Sequence, residues 1–342
     1  MSPGTEVSWS VRALAGPLSP ALADAARALH HEAASVDGVA PLSEQPLLWL
    51  SDPEAPVVHL LAAPEGVDPA DAPAGYAQLD VGSSTTVRGE LVVAPAHRRH
   101  GAARALLTGA EQAAATVPGR RLHVWAHGDL PAARATARAA GMVVVRELWR
   151  MAVDVTTRPP AAADLPAGVQ VRAFVPGQDE EAWRRVNARA FAHHPEQGRM
   201  TSADLRARER EPWFDPEGFL LAERDGQLLG SVWTKVHAPG EAPDGRDDEP
   251  VGEIYVVGVD PDAQGLGMGR ALTTLGLTYL RDRGLRTVIL YTGAENTVAV
   301  HTYERAGFAR TAVDVMYGPP APGAAVRPDD TTHHGDDATM GT

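Results

Sequence analysis

Gln264-Gly265-Leu266-Gly267-Met268-Gly269 is a run of residue types suited to holding phosphate, with a carboxylate and a phenol nearby in the chain. It follows an apolar strand, Glu253-Ile254-Tyr255-Val256-Val257-Gly258-Val259-Asp260-Pro261, and opens a helix that continues through Arg270 and Leu277. Glycines tolerate φ > 0 and let a ligand come close to the backbone. The unpaired N–H groups of a first helical turn then face an anion, with the helix dipole in its favour. Alternation along the strand places Glu253, Tyr255, Val257 and Val259 on one face. An acid in an apolar strand is costly if buried and unpaired. Glu253 therefore reads as a general base, acting directly or through water, or as a strand-end carboxylate facing solvent. Tyr303 lies seven residues beyond Asn296, shortly before Gly307-Phe308. A phenol, with a reference pKa of about 10, stays protonated at neutral pH. Tyr303 reads as a proton donor or as a core tyrosine packed on a sheet.

These residues need a strand, a turn and a helix to position them, and the chain carries that set twice. Pro95 and Pro261 are 166 positions apart. The same shift carries Arg98 onto Gln264, Gly101 onto Gly267, Ala103 onto Gly269, Leu106 onto Leu272 and Gly141 onto Gly307. Segments 87–142 and 253–308 match at this offset without a gap. The pattern is a duplicated α/β domain and not a short-period solenoid. At this offset Val87 stands for Glu253 and Ala137 for Tyr303, so the first half should not catalyse. Its loop, Arg98-Arg99-His100-Gly101-Ala102-Ala103-Arg104, has fewer glycines but offers Arg98 and Arg99 to a phosphate.

The expected fold is α/β: two tandem domains, each a mixed central sheet flanked by helices. The first spans 9–157 and the second 169–317, joined by the proline-rich linker 158–168. Residues 9–36 show helix-like alanine and leucine spacing. Strands follow at 57–61, 75–79 and 89–93, then helix 102–115, strand 121–126, helix 131–140 and strand 142–148. In the second half a helix covers 181–187 and strands cover 218–223 and 228–236, before a Pro/Gly/Asp-rich loop at 238–250. Helix 268–283 presents Leu272, Leu275, Tyr279 and Leu280 as one apolar face. Thr287-Val288-Ile289-Leu290-Tyr291 reads as a covered central strand. Asn296 and Gly307 have the chemistry of the two caps of a last helix. The tail 318–342 is expected to be disordered.

The bulk numbers narrow the classes. A chain of 342 residues with 44% hydrophobic and 22% charged residues can bury two ordinary cores. A net charge of −13 argues against general nucleic-acid binding. Cysteine is absent, so there is no disulfide framework and no cysteine nucleophile, which suits a reducing cytoplasm. The N-terminus has no signal-peptide pattern, and no apolar run reaches the roughly 18 residues a membrane helix needs. The pairs His30-His31 and His193-His194 have no third ligand at a suitable spacing, so no metal is expected. The chain is expected to act as a monomer, with no nucleic-acid or membrane partner.

The Q/R-x-x-G-x-G/A spacing of 264–269 resembles the signature of the GCN5-related N-acetyltransferases (GNATs), which hold the pyrophosphate of coenzyme A this way. Further runs extend the resemblance. They are Val36-Asp37-Gly38-Val39-Ala40-Pro41 with Glu44, Val124-Trp125-Ala126-His127-Gly128, Phe191-Ala192-His193-His194-Pro195-Glu196-Gln197-Gly198, Trp213-Phe214-Asp215-Pro216 and Trp233-Thr234-Lys235-Val236-His237. Together with Gly252 to Pro261 they resemble the mycothiol synthase family, built from two such domains. The resemblance implies transfer of acetyl from acetyl-CoA to the cysteinyl amine of a cysteine–glucosamine–inositol pseudodisaccharide. It implies Glu253 as base and Tyr303 as acid, with Glu44, Glu196, Lys235, Glu253 and Tyr291 contacting the substrate. Val257, Gly258 and Val259 would meet the pantetheine arm, and Gln264, Gly265, Leu266, Gly267, Met268, Gly269 and Arg270 the pyrophosphate. Asn296, Thr297, Val298, Ala299, Val300 and His301 would line the cofactor's other side. In the first half Leu91, Val92, Val93, Arg99, His100, Gly101, Ala102, Ala103 and Arg104 hold the matching positions for acetyl-CoA. Two other readings stay open: an acetyltransferase for another amine, such as a protein N-terminus or an aminoglycoside, and a non-catalytic acyl-CoA sensor.

Overall fold

The computed structural model describes residues 7–192, 197–242 and 249–321, and the chain divides into two compact units. Unit 1 runs to Glu147 and takes in Val313 onward; unit 2 begins at Leu148 and ends at Ala312. The elements of the first part are β1 (Trp9–Ala15), α1 (Pro20–Asp37), α2 (Glu44–Trp49), β2 (Val57–Pro64), β3 (Gly75–Asp80), β4 (Thr86–Val93), α3 (Ala102–Ala115), β5 (Arg121–Ala126), α4 (Pro131–Ala139) and β6 (Val143–Asp154). There follow β7 (Gln170–Ala173), α5 (Glu180–Ala190), α6 (Ser202–Glu209), β8 (Phe219–Arg224), β9 (Gln227–His237), β10 (Val251–Val259), α7 (Met268–Asp282), β11 (Thr287–Gly293), α8 (Thr297–Ala306) and β12 (Ala309–Gly318).

In unit 1 the strand order is β1-β2-β3-β4-β5-β12. β1 to β4 pair antiparallel, β4 and β5 parallel, and β12 antiparallel to β5 through Val315, Met316 and Tyr317. α3 covers one face over Leu60, Val87, Leu106 and Leu122. α1 and α2 cover the other over Leu29, Leu50, Leu61 and Tyr76. The helix-like spacing read over 9–36 resolves into two elements. Trp9 and Val11 join the α3 core while Leu14 joins the α1 core, so the side chains alternate as in a strand. Ser19 then caps α1 by accepting from the Leu22 N–H, and Pro20 occupies the first turn.

In unit 2 the order is β6-β11-β10-β9-β8-β7, with β10 and β11 parallel and the other pairs antiparallel. The strand read as 142–148 continues to Asp154, and its later part pairs with β11 along Leu148–Asp154. α7 packs on one face over Val232, Ile254, Leu272 and Leu290. Gly276 lets it close in, because a Cβ there would sit 2.6 Å from Ile254 Cδ1 and 2.8 Å from Val232 Cγ2. α5 and α6 cover the other face over Trp183, Leu205, Phe219 and Trp233. α6 starts with a capping box between Thr201 and Asp204.

Candidate active site

β10 of unit 2 leads into the glycine turn. A 3-10 turn at Pro261–Ala263 hands the chain to Gln264, and Gly265 and Gly267 then take φ of 78° and 80°. Gly267 is the N-cap of α7, and no side chain caps that end, so the first-turn N–H groups are left for a ligand. No acidic residue lies in that turn. A Cβ at Gly265, Gly267 or Gly269 would meet nothing within 4 Å. Packing does not demand these glycines; they keep the approach to the backbone clear. Arg189 of α5 holds the two acids just before the turn, Asp260 at 3.0 Å and Asp262 at 2.7 Å. One guanidinium thus offsets part of the charge of two carboxylates beside the glycine turn.

β10 is not a regular strand. Its register with β9 slips between Ile254 and Val256. Tyr255 and Val256 both pack on the α5–α6 side, whereas Ile254, Val257 and Val259 pack on the α7 side. The single face expected for Glu253, Tyr255, Val257 and Val259 is therefore split. A bulge adds one residue and reverses every later position. Glu253 and Tyr255 stay together, and Val257 and Val259 turn into the α7 core.

Glu253 is 6% exposed, so it does not face solvent. Its Oε2 lies 2.6 Å from Nε2 of His237, the last residue of β9 and also buried. β-pairing sets Lys235 opposite Glu253 and His237 opposite Val251, which makes His237 and Glu253 diagonal neighbours. On the same face Lys235 Nζ stands 4.4 Å from the Trp213 ring centre and 5.5 Å from that of Tyr255. Arg208 Nε donates to the Tyr255 hydroxyl at 2.6 Å. Tyr291 on β11 packs with Val251 and Ile289, two strand positions from which Glu253 continues the same face.

Tyr303 projects from α8 into the α7 core and meets Phe308 edge to face at 5.9 Å between ring centres. Burial pushes its phenol up to about 12. It is only partly buried against that core and keeps its proton. Asn296 caps α8 by accepting from the Ala299 N–H at 3.2 Å, and Gly307 ends it at φ 99°. Within 296–301, Val300 is buried while Thr297, Val298 and His301 are exposed.

Residues 24–142 and 183–308 match the model of the acetyltransferase (GNAT) family. A mycothiol acetyltransferase of Cellulomonas flavigena is 74% identical over the full length of both chains. One from Sanguibacter keddieii is 54% identical over 90% of this chain and 96% of its own. The chain belongs to the mycothiol acetyltransferase family. In fold it is similar to a tandem GNAT protein from the clavulanic acid biosynthesis pathway, with a TM-score of 0.63 and 18% identity over 91% of this chain and 98% of that one. The family resemblance and the α/β architecture read from the sequence are both borne out.

Unit 1 matches unit 2 strand by strand. The gapless offset fails at the β10 bulge. Leu122 of β5 pairs with Val87, and the matching Val288 of β11 pairs with Gly252. The counterpart of Glu253 is therefore Arg88, not Val87. Arg88 lies opposite Asp80 on β3 and bonds it at 2.8 Å, where unit 2 sets Glu253 opposite Lys235. The charges are reversed and self-satisfied. The counterpart of Tyr303 is the buried Ala137.

The loop of unit 1 keeps the shape of the glycine turn. Arg98 and Gln264 share φ/ψ of −71°/156° and −70°/158°. Arg99 takes φ 64° where Gly265 has 78°, and Gly101 caps α3 at φ 94°. Arg98, however, is not available to a phosphate. Asp37 binds both its terminal nitrogens, at 2.6 and 2.9 Å. Arg99, His100 and Arg104 are exposed, Ala103 is half-buried, and Ala102 is buried under α3. Leu91, Val92 and Val93 lie on β4, with Val92 and Val93 buried on opposite faces.

Of the expected substrate contacts, the structure brings Lys235, Glu253 and Tyr291 onto one face of unit 2. Glu44 opens α2 of unit 1, just after Ser43, whose N–H and hydroxyl both bond Glu90. Glu196, with His193 and His194, lies outside the described residues. His237, Trp213 and Arg208 were given no role from the sequence. Their signal was available in part: alternation along Trp233-Thr234-Lys235-Val236-His237 puts 233, 235 and 237 on one face. Among the described residues no three His, Asp or Glu side chains are placed to hold a metal ion. No helix of these residues is long and apolar enough to cross a membrane.

Proposed function

We propose that unit 2 transfers the acetyl group of acetyl-CoA to the cysteinyl amine of the cysteine–glucosamine–inositol pseudodisaccharide, giving mycothiol. The observation that carries this reading is the buried carboxylate of Glu253 on the strand that runs into an uncapped, glycine-lined helix start. The full-length relatives named mycothiol acetyltransferase support the substrate. The open glycines fit a pyrophosphate: residues 264–270 supply N–H groups without a competing side chain. The backbone of 257–259, just past the bulge, would bond the pantetheine arm, and 296–301 would line the opposite side.

Glu253 takes the proton of the substrate ammonium. The neutral amine then attacks the thioester carbonyl to give a tetrahedral adduct, whose nitrogen sheds a second proton as the C–S bond breaks. That proton reaches the departing coenzyme A thiolate, leaving the amide and free coenzyme A. Tyr303 is the donor for that thiolate. Its phenol at about 12 lies well above a thiol at about 8.5, so it stabilises the thiolate first as a hydrogen-bond donor. Lys235, Tyr291 and Glu196 would contact the polar groups of the substrate. Unit 1, with Arg88 and Ala137 at the matching positions, performs no proton transfer. A thiol product and a chain without cysteine fit the reducing cytoplasm.

The test is a panel of amines with acetyl-CoA, with coenzyme A release followed by chromatography. The pseudodisaccharide should show the highest kcat/KM. Preference for an aminoglycoside or a peptide N-terminus would overturn the substrate, and no turnover on any amine would overturn the enzyme.

A further inference from the structure

We infer that His237 is a positioning residue for Glu253: its Nε2–H donates to Oε2, fixes the carboxylate in its buried site and leaves the second oxygen to the substrate amine. The inference rests on the proposed role of Glu253 as base. Three observations carry it. The Nε2–Oε2 distance of 2.6 Å is a close hydrogen-bond contact. Both residues are buried, at 7% and 6% exposure, so water does not compete for the carboxylate. The contact also spans two paired strands just before the β10 bulge, so backbone pairing fixes its geometry on both sides.

The chemistry needs such a partner. Burial strips a carboxylate of the water that would otherwise solvate it. A hydrogen bond donated to the carboxylate favours the charged form. Lys235, directly across the strand pair, sits against Trp213 and Tyr255, and no contact within salt-bridge distance joins it to Glu253 among the described residues. The other titratable groups on this face are Tyr255 on β10 with Arg208 of α6 against it, Tyr291 on β11, and Arg150 on β6 opposite Tyr291. Among the described residues His237 is the one in direct contact with the carboxylate. Unit 1 has lost the arrangement together with the base: Arg88 bonds Asp80 there.

The experiment uses the full chain, with kcat/KM for the amine measured from pH 5.5 to 9.5 on His237→Gln, His237→Phe, Glu253→Gln and the Glu253→Gln/His237→Phe double variant. Gln keeps an N–H donor near the Nε2 position and does not titrate, so His237→Gln should keep most of the activity and the wild-type acid limb. His237→Phe should lose on the order of ten- to a hundredfold at neutral pH, because the acid limb moves up and each unit of movement is about tenfold. That loss should shrink at high pH, and KM for acetyl-CoA should not change. In the Glu253→Gln background His237→Phe should add little, because it acts through the carboxylate.

If His237→Phe does not fold, His237→Asn serves, since the shorter amide does not reach Glu253. An inactive His237→Gln that folds overturns the inference, for then the imidazole itself carries the proton. So does a fully active His237→Phe, or a loss that adds in full to that of Glu253→Gln. Glu253→Gln reports separately on the base. Wild-type rates in that variant sink the reading of Glu253, whereas a crippled Glu253→Gln beside a fully active His237→Phe sinks the role of His237 alone.

Discussion

Glu253 combines two properties that a surface carboxylate lacks: it is buried, and one of its oxygens is already bonded. Replacing it with glutamine keeps the shape and the contact with His237 but removes the proton acceptor. The substrate's α-amine has a reference pKa near 8, so part of it is already neutral at about pH 8 to 9. Glu253→Gln should therefore show a large defect near neutral pH that narrows as pH rises, read from a pH profile of kcat/KM. A loss of constant size across the profile would assign Glu253 to substrate binding instead. Glu253 and the glycines were legible in the sequence, because an acid in an apolar strand and a glycine run before a helix are local patterns. His237 was legible only in part: alternation sets it on the face of Lys235, but its partner lies on another strand, and the register that pairs β9 with β10 leaves no mark on residue type.

At the level of elements, helices α3 and α7 and strands β4, β5, β10 and β11 were readable from periodicity and from the proline and glycine that end them. The β10 bulge was not, since an extra residue inside an apolar strand changes no composition. It nevertheless moved the counterpart of Glu253 from Val87 to Arg88. The packing of β12 on unit 1 depends on a further buried contact. His127, just after β5, has Nδ1 3.1 Å from Asp314 of β12 and Nε2 3.3 Å from Glu90 of β4. The Nε2 contact is not aligned as a hydrogen bond, so it acts as an ion pair. Burial alone would lower the imidazole's pKa, but Asp314 and Glu90 outweigh it and hold the pKa well above the usual 6.5. A pKa raised by folding stabilises fully below 6.5 and less as pH climbs through the raised value. His127→Gln should therefore lower the melting temperature most near pH 6, with the gap to wild type closing toward alkaline pH. His30, lowered to about 4 by its own burial and by His31, is also lowered by the charge on His127, so part of its penalty below pH 6.5 disappears with His127 and the gap narrows again under acid. A gap independent of pH would mean that His127 contributes shape and no charge.

Over the whole molecule, the two units share a loop shape and differ in chemistry. Gly267 and Gly101 both cap a helix at positive φ, so a β-branched residue strains either by about 1–2 kcal/mol. Gly267→Val should cut turnover sharply with a raised KM for acetyl-CoA, while Gly101→Val should leave most of the activity in a protein of similar melting temperature. Equal losses in two folded variants would refute the division of labour. The chain also completes unit 1 from its far end, which the duplicated pattern concealed because each copy seemed to own its last strand. Val315, Met316 and Tyr317 are buried in unit 1, paired to β5, and Tyr317 bonds Asp129 at 3.3 Å. Burial of three such side chains is worth about 1.5–3 kcal/mol each, comparable with the entire stability of a domain at about 5–15 kcal/mol. Ending the chain at Ala312 should therefore unfold unit 1 even though β1 to β5 and α1 to α4 remain in sequence. Backbone hydrogen exchange would show it: amides of β4 and β5 should lose protection in the truncated chain. Their retention at wild-type levels would mean that β1 to β5 hold as a sheet without β12, and that His127 does not need Asp314 to keep its place.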